Sequence, residues 1–286
     1  MEAKTTTEVL LQALPYIRRF RGKIVVVKYG GSAMTDPELA AQFAEDVVLM
    51  HQVGIKPVIV HGGGPQITEL HGRLGKQTEF KDGHRVTDAE SLEITRMVLV
   101  GKVNREIVSL INRHGPLAVG IAGEDAGLLL AAKRHPELGF VGDVEAVNPQ
   151  IVERLLAEDL IPVVSTIGSD AAGQAYNINA DAVAGAIAAA LGAEKVVYLT
   201  DVEGLQRNLA DPTTLIGRAT ASELDALVEN GVVGSGMIPK VAACIHAVRH
   251  GVTSAHMVNG TTPHVLLVEL FTDAGIGTMI TLGESS

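Results

Sequence analysis

The chain has a single cysteine, Cys244, and no Cys-x-x-Cys pair, so neither an internal disulfide nor a cysteine-based zinc or dithiol site can be built from it. Positive charge is also scarce. Lys and Arg number 23 against 33 Asp and Glu, a formal net charge of −10. That balance disfavours a nucleic-acid or anionic-membrane surface, and any phosphate site must then be positive locally. The longest weakly polar run, Ala182 to Ala193, is far too short to cross a bilayer. The first residues offer acids, threonines and arginines where a secretion signal needs an apolar core. Self-similar periods and low-complexity tracts are lacking, which removes solenoids, coiled coils and linker-joined arrays. The expectation is a compact, enzyme-like domain in the reducing cytoplasm, with neither nucleic acid nor membrane as a partner.

What is present supports a large core, since 47% of the 286 residues are hydrophobic. Short β-branched runs recur at Ile24 to Lys28, Pro57 to His61, Leu117 to Ile121, Leu160 to Ser165, Lys195 to Thr200, Ala255 to Val258 and Val265 to Leu270, each a candidate buried strand. Helical segments lie between most of them. Asp36-Pro37 opens one and Gly54 ends it, and Thr87-x-x-Glu90 reads as a capping box before another. Alternating strands and helices predict an α/β fold with a largely parallel sheet.

In such sheets, ligands bind beyond the carboxyl ends of the strands. There the chain concentrates its glycines: Lys28-Tyr29-Gly30-Gly31-Ser32, His61-Gly62-Gly63-Gly64-Pro65 and Leu199-Thr200-Asp201 close three strands. Glycine turns leading into helices bring backbone N–H groups close to an anion, or they simply make tight turns. Lys28, after four apolar β-formers, is either a phosphate ligand or a snorkelling strand-end lysine. Lys240 follows Gly234-Ser235-Gly236-Met237-Ile238-Pro239 at a helix start, where the macrodipole disfavours a cation. It either shares an anionic ligand or is solvated. In Asn177-Ile178-Asn179-Ala180-Asp181, the aspartate either caps the next helix or orients the two lysines.

Taken in order, these segments together with Gly83-His84-Arg85-Val86-Thr87 resemble the amino acid kinase family over nearly the whole chain. Gly-x-Arg-Val-Thr and Asn-x-Asn-Ala-Asp resemble its N-acetylglutamate kinase branch more than aspartokinases, carbamate kinases or uridylate kinases. The resemblance implies a three-layer α-β-α sandwich around a mainly parallel sheet. It implies that Lys28 and Lys240 stabilise the transferring phosphoryl group, with Asp181 organising both, and that Gly63, Gly64, Arg85 and Asn177 bind N-acetyl-L-glutamate. Arg85 can grip a carboxylate through two parallel hydrogen bonds, or else be a surface ion-pair residue. ATP would border Gly30, Gly31, Thr200, Asp201, Gly204, Leu205, Gly234, Ser235, Gly236 and Met237. Mg²⁺ would be held through the phosphates, with no metal ligand from protein side chains.

The family pattern places an acyl-amino-acid-binding lobe at residues 23–192 and an ATP-binding lobe at 193–286. Residues 1–22 form an extension with a Thr5-x-x-Glu8 box and Leu10, Leu14 and Ile17 on one helical face, with Pro15 a candidate kink. That extension resembles the arginine-inhibited branch, which implies a homohexamer (a trimer of dimers) with L-arginine as inhibitor, and a regulatory protein partner is compatible with it. Tyr16, His264, Glu269 and Gly275 are the candidate effector residues. Three other readings compete: a relative acting on another acid or a nucleotide, a catalytically silent arginine sensor, and a nicotinamide enzyme. The last lacks G-x-G-x-x-G, and no G-x-x-x-x-G-K-[ST] loop is present either. Cys244 and the histidines are assigned no chemistry, His61 being read as packing beside its glycine turn.

Overall fold

The computed structural model describes residues 3–81, 83–208, 211–234, 236–272 and 275–283. Helix α1 (Ala3–Phe20) leads into β1 (Ile24–Tyr29), α2 (Pro37–Gln52), β2 (Lys56–His61) and α3 (Gly64–Arg73). A short hairpin, β3 (Phe80–Lys81) with β4 (His84–Arg85), precedes α4 (Ala89–Arg96). That helix continues through a wider π-helical stretch, Met97–Val103, into α5 (Asn104–Asn112). Next come β5 (Ala118–Ala122), β6 (Leu129–Lys133), β7 (Val141–Val147), α6 (Gln150–Ala157), β8 (Ile161–Ser165), β9 (Ile167–Ser169) and β10 (Ala175–Ile178). The last third holds α7 (Ala180–Ala190), β11 (Lys195–Thr200), β12 (Arg218–Thr220), α8 (Ala221–Glu229), α9 (Ile238–Arg249), β13 (Ser254–Asn259), α10 (Val265–Phe271) and β14 (Thr278–Thr281).

Eight strands form one sheet in the order β12-β14-β13-β11-β1-β2-β8-β5. Every pairing in it is parallel except β13 with β14. Successive side chains of a strand point to opposite faces, so β1 feeds two cores. Val26 packs with α6, α7, α8 and α9 on one face, while Val25 and Val27 pack with α2, α5 and α10 on the other. The result is the three-layer sandwich. Strands β10, β7, β6 and β9 close into a small sheet beside it.

Local signals account for much of this. Asp36 accepts hydrogen bonds from the Glu38 and Leu39 N–H groups at 2.8 and 3.1 Å, Pro37 fills the first helical position, and Gly54 leaves α2 with φ +89°. Three expectations need correction. Val265–Phe271 is a helix, not a strand, with Leu266 and Leu270 buried four residues apart; a short apolar run fits either period. The Thr87 box does not form, because the neighbouring Asp88 carboxylate takes the Ser91 N–H at 2.8 Å. The Thr87 hydroxyl instead donates to the Arg85 carbonyl, and Glu90 pairs with Lys76. Helix α1 is already helical at Ala3, so Thr5 is not at its start, and it runs unbroken through Pro15.

Candidate active site

The carboxyl ends of β1, β2 and β11 lie side by side, with Lys28 in register with Tyr198 and Val60. The amino termini of α7 and α9 face this edge. Asn179, not Asp181, caps α7: its side-chain oxygen accepts from the N–H groups of Asp181 and Ala182 at 2.8 and 3.3 Å. Asp181 is thereby released from capping. One of its oxygens lies 3.1 Å from the Lys28 ammonium and the other accepts from Lys240 at 2.7 Å. Two residues 212 positions apart (240 − 28) thus meet on one carboxylate.

Lys28 and Asp181 are both buried. Burial, reinforced by the Lys240 charge, pulls the Lys28 pKa below its usual value against the attraction of Asp181. Burial of Asp181 favours its neutral form, yet the Lys28 and Lys240 charges outweigh it and hold the carboxyl below the usual range. At direct contact two ammonium groups face one carboxylate, a local positive surplus, with Lys28 buried, Lys240 partly exposed and the Asp201 carboxylate a weaker, more distant partner of Lys28. Such a cluster is stabilised by one further anion.

The first glycine turn is shaped around these charges. A Cβ on Gly30 would stand 2.7 Å from the Lys28 ammonium nitrogen. Gly31 has φ +73°, and its Cβ would meet the Asp201 carboxylate at 2.5 Å, where that carboxylate accepts the Ser32 N–H at 2.7 Å. In the second turn, a Cβ on Gly63 would lie 2.7 Å from Leu99, whereas Gly64 faces open space.

Beside Lys28 and Asp181 lies a cleft of about 220 Å³, also lined by Gly63, Gly64, Arg85 and Asn177. The Arg85 guanidinium sits over the Phe80 ring and donates to the Gly64 carbonyl at 3.0 Å and to the hydroxyls of Thr68 and Thr78 at 2.9 and 3.2 Å. Among the described residues no carboxylate pairs with it. The Asn177 amide donates to the Thr87 hydroxyl at 3.4 Å. Thr68 and Thr78 escaped the sequence reading because no local signal ties them to residue 85.

On the other side of the lysines, the Thr200 hydroxyl donates to the Val202 carbonyl at 2.7 Å, and the Leu205 N–H donates to Thr278 at 2.8 Å. Gly204 packs against Thr278, and Thr200 and Leu205 are buried as whole residues. Gly234, Gly236 and Met237 form the turn into α9, with the Met237 N–H on the Gly234 carbonyl at 2.9 Å; Ser235 lies outside the described residues. Among the described residues no group of three or more His, Cys, Asp or Glu side chains is placed to hold a metal ion.

The effector candidates fall around α10. Glu269 is committed inside the fold, pairing with Lys195 at 2.8 Å and His256 at 2.5 Å. His264 pairs with the buried Asp46 at 2.6 Å, Gly275 has φ +58°, and Tyr16 lies on α1, which packs against α10.

A mainly parallel sheet sandwiched by helices, with two lysines converging on one aspartate beyond its strand ends, defines a phosphoryl-transfer class, and comparison names it. Residues 23–259 match the model of the amino acid kinase family, and the chain belongs to that family. It is 51% identical over 288 aligned positions to acetylglutamate kinase of Moorella thermoacetica, covering 97% of both chains. It is 52% identical to acetylglutamate kinase of Nostoc sp., covering 96% of this chain and 93% of the relative. Among solved structures, N-acetylglutamate synthase of Neisseria gonorrhoeae, complexed with coenzyme A and N-acetyl-glutamate, superposes with a TM-score of 0.84 at 27% identity. This chain covers only 64% of that protein, and 98% of its own length is matched. Carbamate kinase of Giardia lamblia bound to AMP-PNP shares the fold, with a TM-score of 0.67 at 18% identity and coverage of 92% and 99%.

Proposed function

We propose that the protein transfers the γ-phosphoryl group of ATP to the side-chain carboxylate of N-acetyl-L-glutamate, giving N-acetyl-L-glutamyl 5-phosphate and ADP, the second step of arginine biosynthesis. The observation that carries this is the convergence of Lys28 and Lys240 on Asp181, with Lys28 and Asp181 lining a cleft that Arg85 also lines. Identity near 50% to acetylglutamate kinases over almost the whole chain supports the choice of acid.

The two reactants are both anionic and repel each other in water, so catalysis is alignment and charge neutralisation. Lys28 approaches from the β1 side and Lys240 from the α9 side, so the moving phosphoryl group meets an ammonium along its whole path, while Asp181 keeps both in place. The acid is already ionised and needs no general base. Arg85 holds another carboxylate of the acid, exchanging hydroxyl and carbonyl partners for a charged one. Gly63, Gly64 and Asn177 complete the acid site. Gly30, Gly31, Thr200, Asp201, Gly204, Leu205, Gly234, Ser235, Gly236 and Met237 border ATP. If Mg²⁺ is bound with the nucleotide, it would add further charge neutralisation.

Hydroxylamine trapping tests the reading: with MgATP, only N-acetylglutamate among glutamate, aspartate, carbamate and UMP is expected to give a strong hydroxamate or ADP signal. Equal turnover of another acid would reassign the substrate, and arginine binding without turnover would favour a silent sensor. The same reading includes a cytoplasmic homohexamer inhibited by L-arginine near Tyr16, His264, Glu269 and Gly275, open to a regulatory protein. Its support is the exposure of Leu11 and Leu14, 62% and 40%, on α1. The lobes at 23–192 and 193–286 are supported by the sheet order, which sets strands up to residue 165 on one side of the β1–β11 seam and those from 195 on the other.

A further inference from the structure

His61 is fully buried at the end of β2, directly before the glycine turn, and the mechanism above does not use it. Its Nδ1 lies 2.9 Å from the Gly62 carbonyl oxygen and its Nε2 lies 3.1 Å from the side-chain amide nitrogen of Asn104. The orientation of that amide is fixed from two sides. Its nitrogen also donates to the Val163 carbonyl at 2.9 Å, and its oxygen receives the Arg105 guanidinium. An amide nitrogen has no acceptor to offer, so His61 Nε2 must accept and the ring proton must sit on Nδ1, where it donates to the Gly62 carbonyl.

The Gly62–Gly63 peptide is trans, so its N–H points away from its carbonyl. With the carbonyl held by the buried ring, the Gly63 N–H is directed away from His61, on the side where Gly63 and Gly64 line the cleft. Asn104 is delivered by the π-helical stretch immediately before it, and two residues of that stretch, Leu99 and Val103, close against Gly63. Burial, chiefly, with the Arg105 charge as a lesser factor, pushes the His61 pKa down to about 4, so the ring stays neutral at physiological pH.

We infer that His61, in its Nδ1–H form imposed by Asn104, is a positioning residue that locks the Gly62–Gly63 peptide with its N–H aimed at the phosphoryl-transfer site. The inference deepens the kinase reading and rests on it for the role of that N–H. Its geometry can be tested without turnover. In ligand-free protein labelled with ¹⁵N-histidine, His61 is expected to show a protonated Nδ1 and an unprotonated Nε2 throughout pH 5.5 to 9, in the sense opposite to free imidazole. An Nε2–H tautomer, or titration in the ordinary histidine range, would overturn the lock.

Kinetics supply the second arm. Asn104→Leu removes the donor that holds Nε2 as an acceptor, so the ring is no longer pinned with its Nδ1–H on the Gly62 carbonyl. It is expected to lower kcat by up to about 10²-fold, the scale for losing one oriented oxyanion donor, with KM for ATP little changed. His61→Asn, which returns an amide N–H near the Nδ1 position, should recover much of what His61→Leu loses. A folded His61→Leu protein with normal kcat would end the proposal. If the tautomer is as described but wild-type protein gives no hydroxamate from N-acetylglutamate, the kinase reading fails while the lock stands.

Discussion

Removing the Lys28 ammonium leaves Asp181 with one partner and the cleft without its surplus positive charge. Lys28→Ala and Lys240→Ala are each expected to lower kcat by about 10²–10⁴-fold in the hydroxamate assay, since each removes charge neutralisation where phosphoryl charge develops. Normal turnover in both would remove their assigned role. Arg85→Ala is expected to raise KM for the acid about tenfold or more. A smaller fall in kcat should accompany it, because Arg85 also steadies the Gly64 carbonyl. Residues of this kind were legible from chemistry and order: an ammonium after an apolar strand and a carboxylate beside a helix start. The partners of Arg85 and His61 were not, because Thr68 and Asn104 approach through tertiary contacts that no spacing encodes.

At the scale of elements, the strands of the main sheet that are buried on both faces were readable from their continuous apolar runs. Strands β6, β7, β9 and β10 were not: stretches such as Leu-Leu-Ala-Ala-Lys and Ile-Gly-Ser carry weak β preference, and their closure on one another decides them. Helix α4 shows how close two caps can lie. The Asp88 pKa is lowered to about 2, first by the Lys76 hydrogen bond and then by the Ser91 N–H, from an unfolded value near 3.8. A depressed carboxyl pKa stabilises the fold above the unfolded value, and that stability is lost as pH falls through the folded one. Asp88→Ala is therefore expected to cost about 1 kcal/mol at pH 7, mostly as the lost cap because the lysine pair is exposed. Thermal unfolding should show the gap closing between about pH 4 and pH 2. A gap unchanged at pH 2 would refute the assignment.

For the whole molecule, the boundary of the extension matters. Phe20 ends α1 but is buried, with the Lys195 ammonium 5.4 Å from its ring centre, so it belongs to the core. Deleting residues 1–15 should therefore keep the subunit folded and catalytic while dissolving the proposed hexamer and weakening the proposed arginine inhibition. Sedimentation and inhibition curves read both, and an intact hexamer with normal inhibition would defeat that role for α1. Overall architecture was legible because alternation of strands and helices constrains layers strongly. The place of each strand in the sheet was not, since β1 lies between a neighbour made just after it and another some 170 residues later (195 − 24 = 171).

That arrangement bears on how the protein emerges from the ribosome. Until β11 has been synthesised, β1 can pair only with β2, and one edge of an apolar strand stays open to any other chain. A fragment ending at residue 192 is accordingly expected to precipitate or to depend on chaperones, whereas full-length protein stays dispersed once the late strands seal that edge.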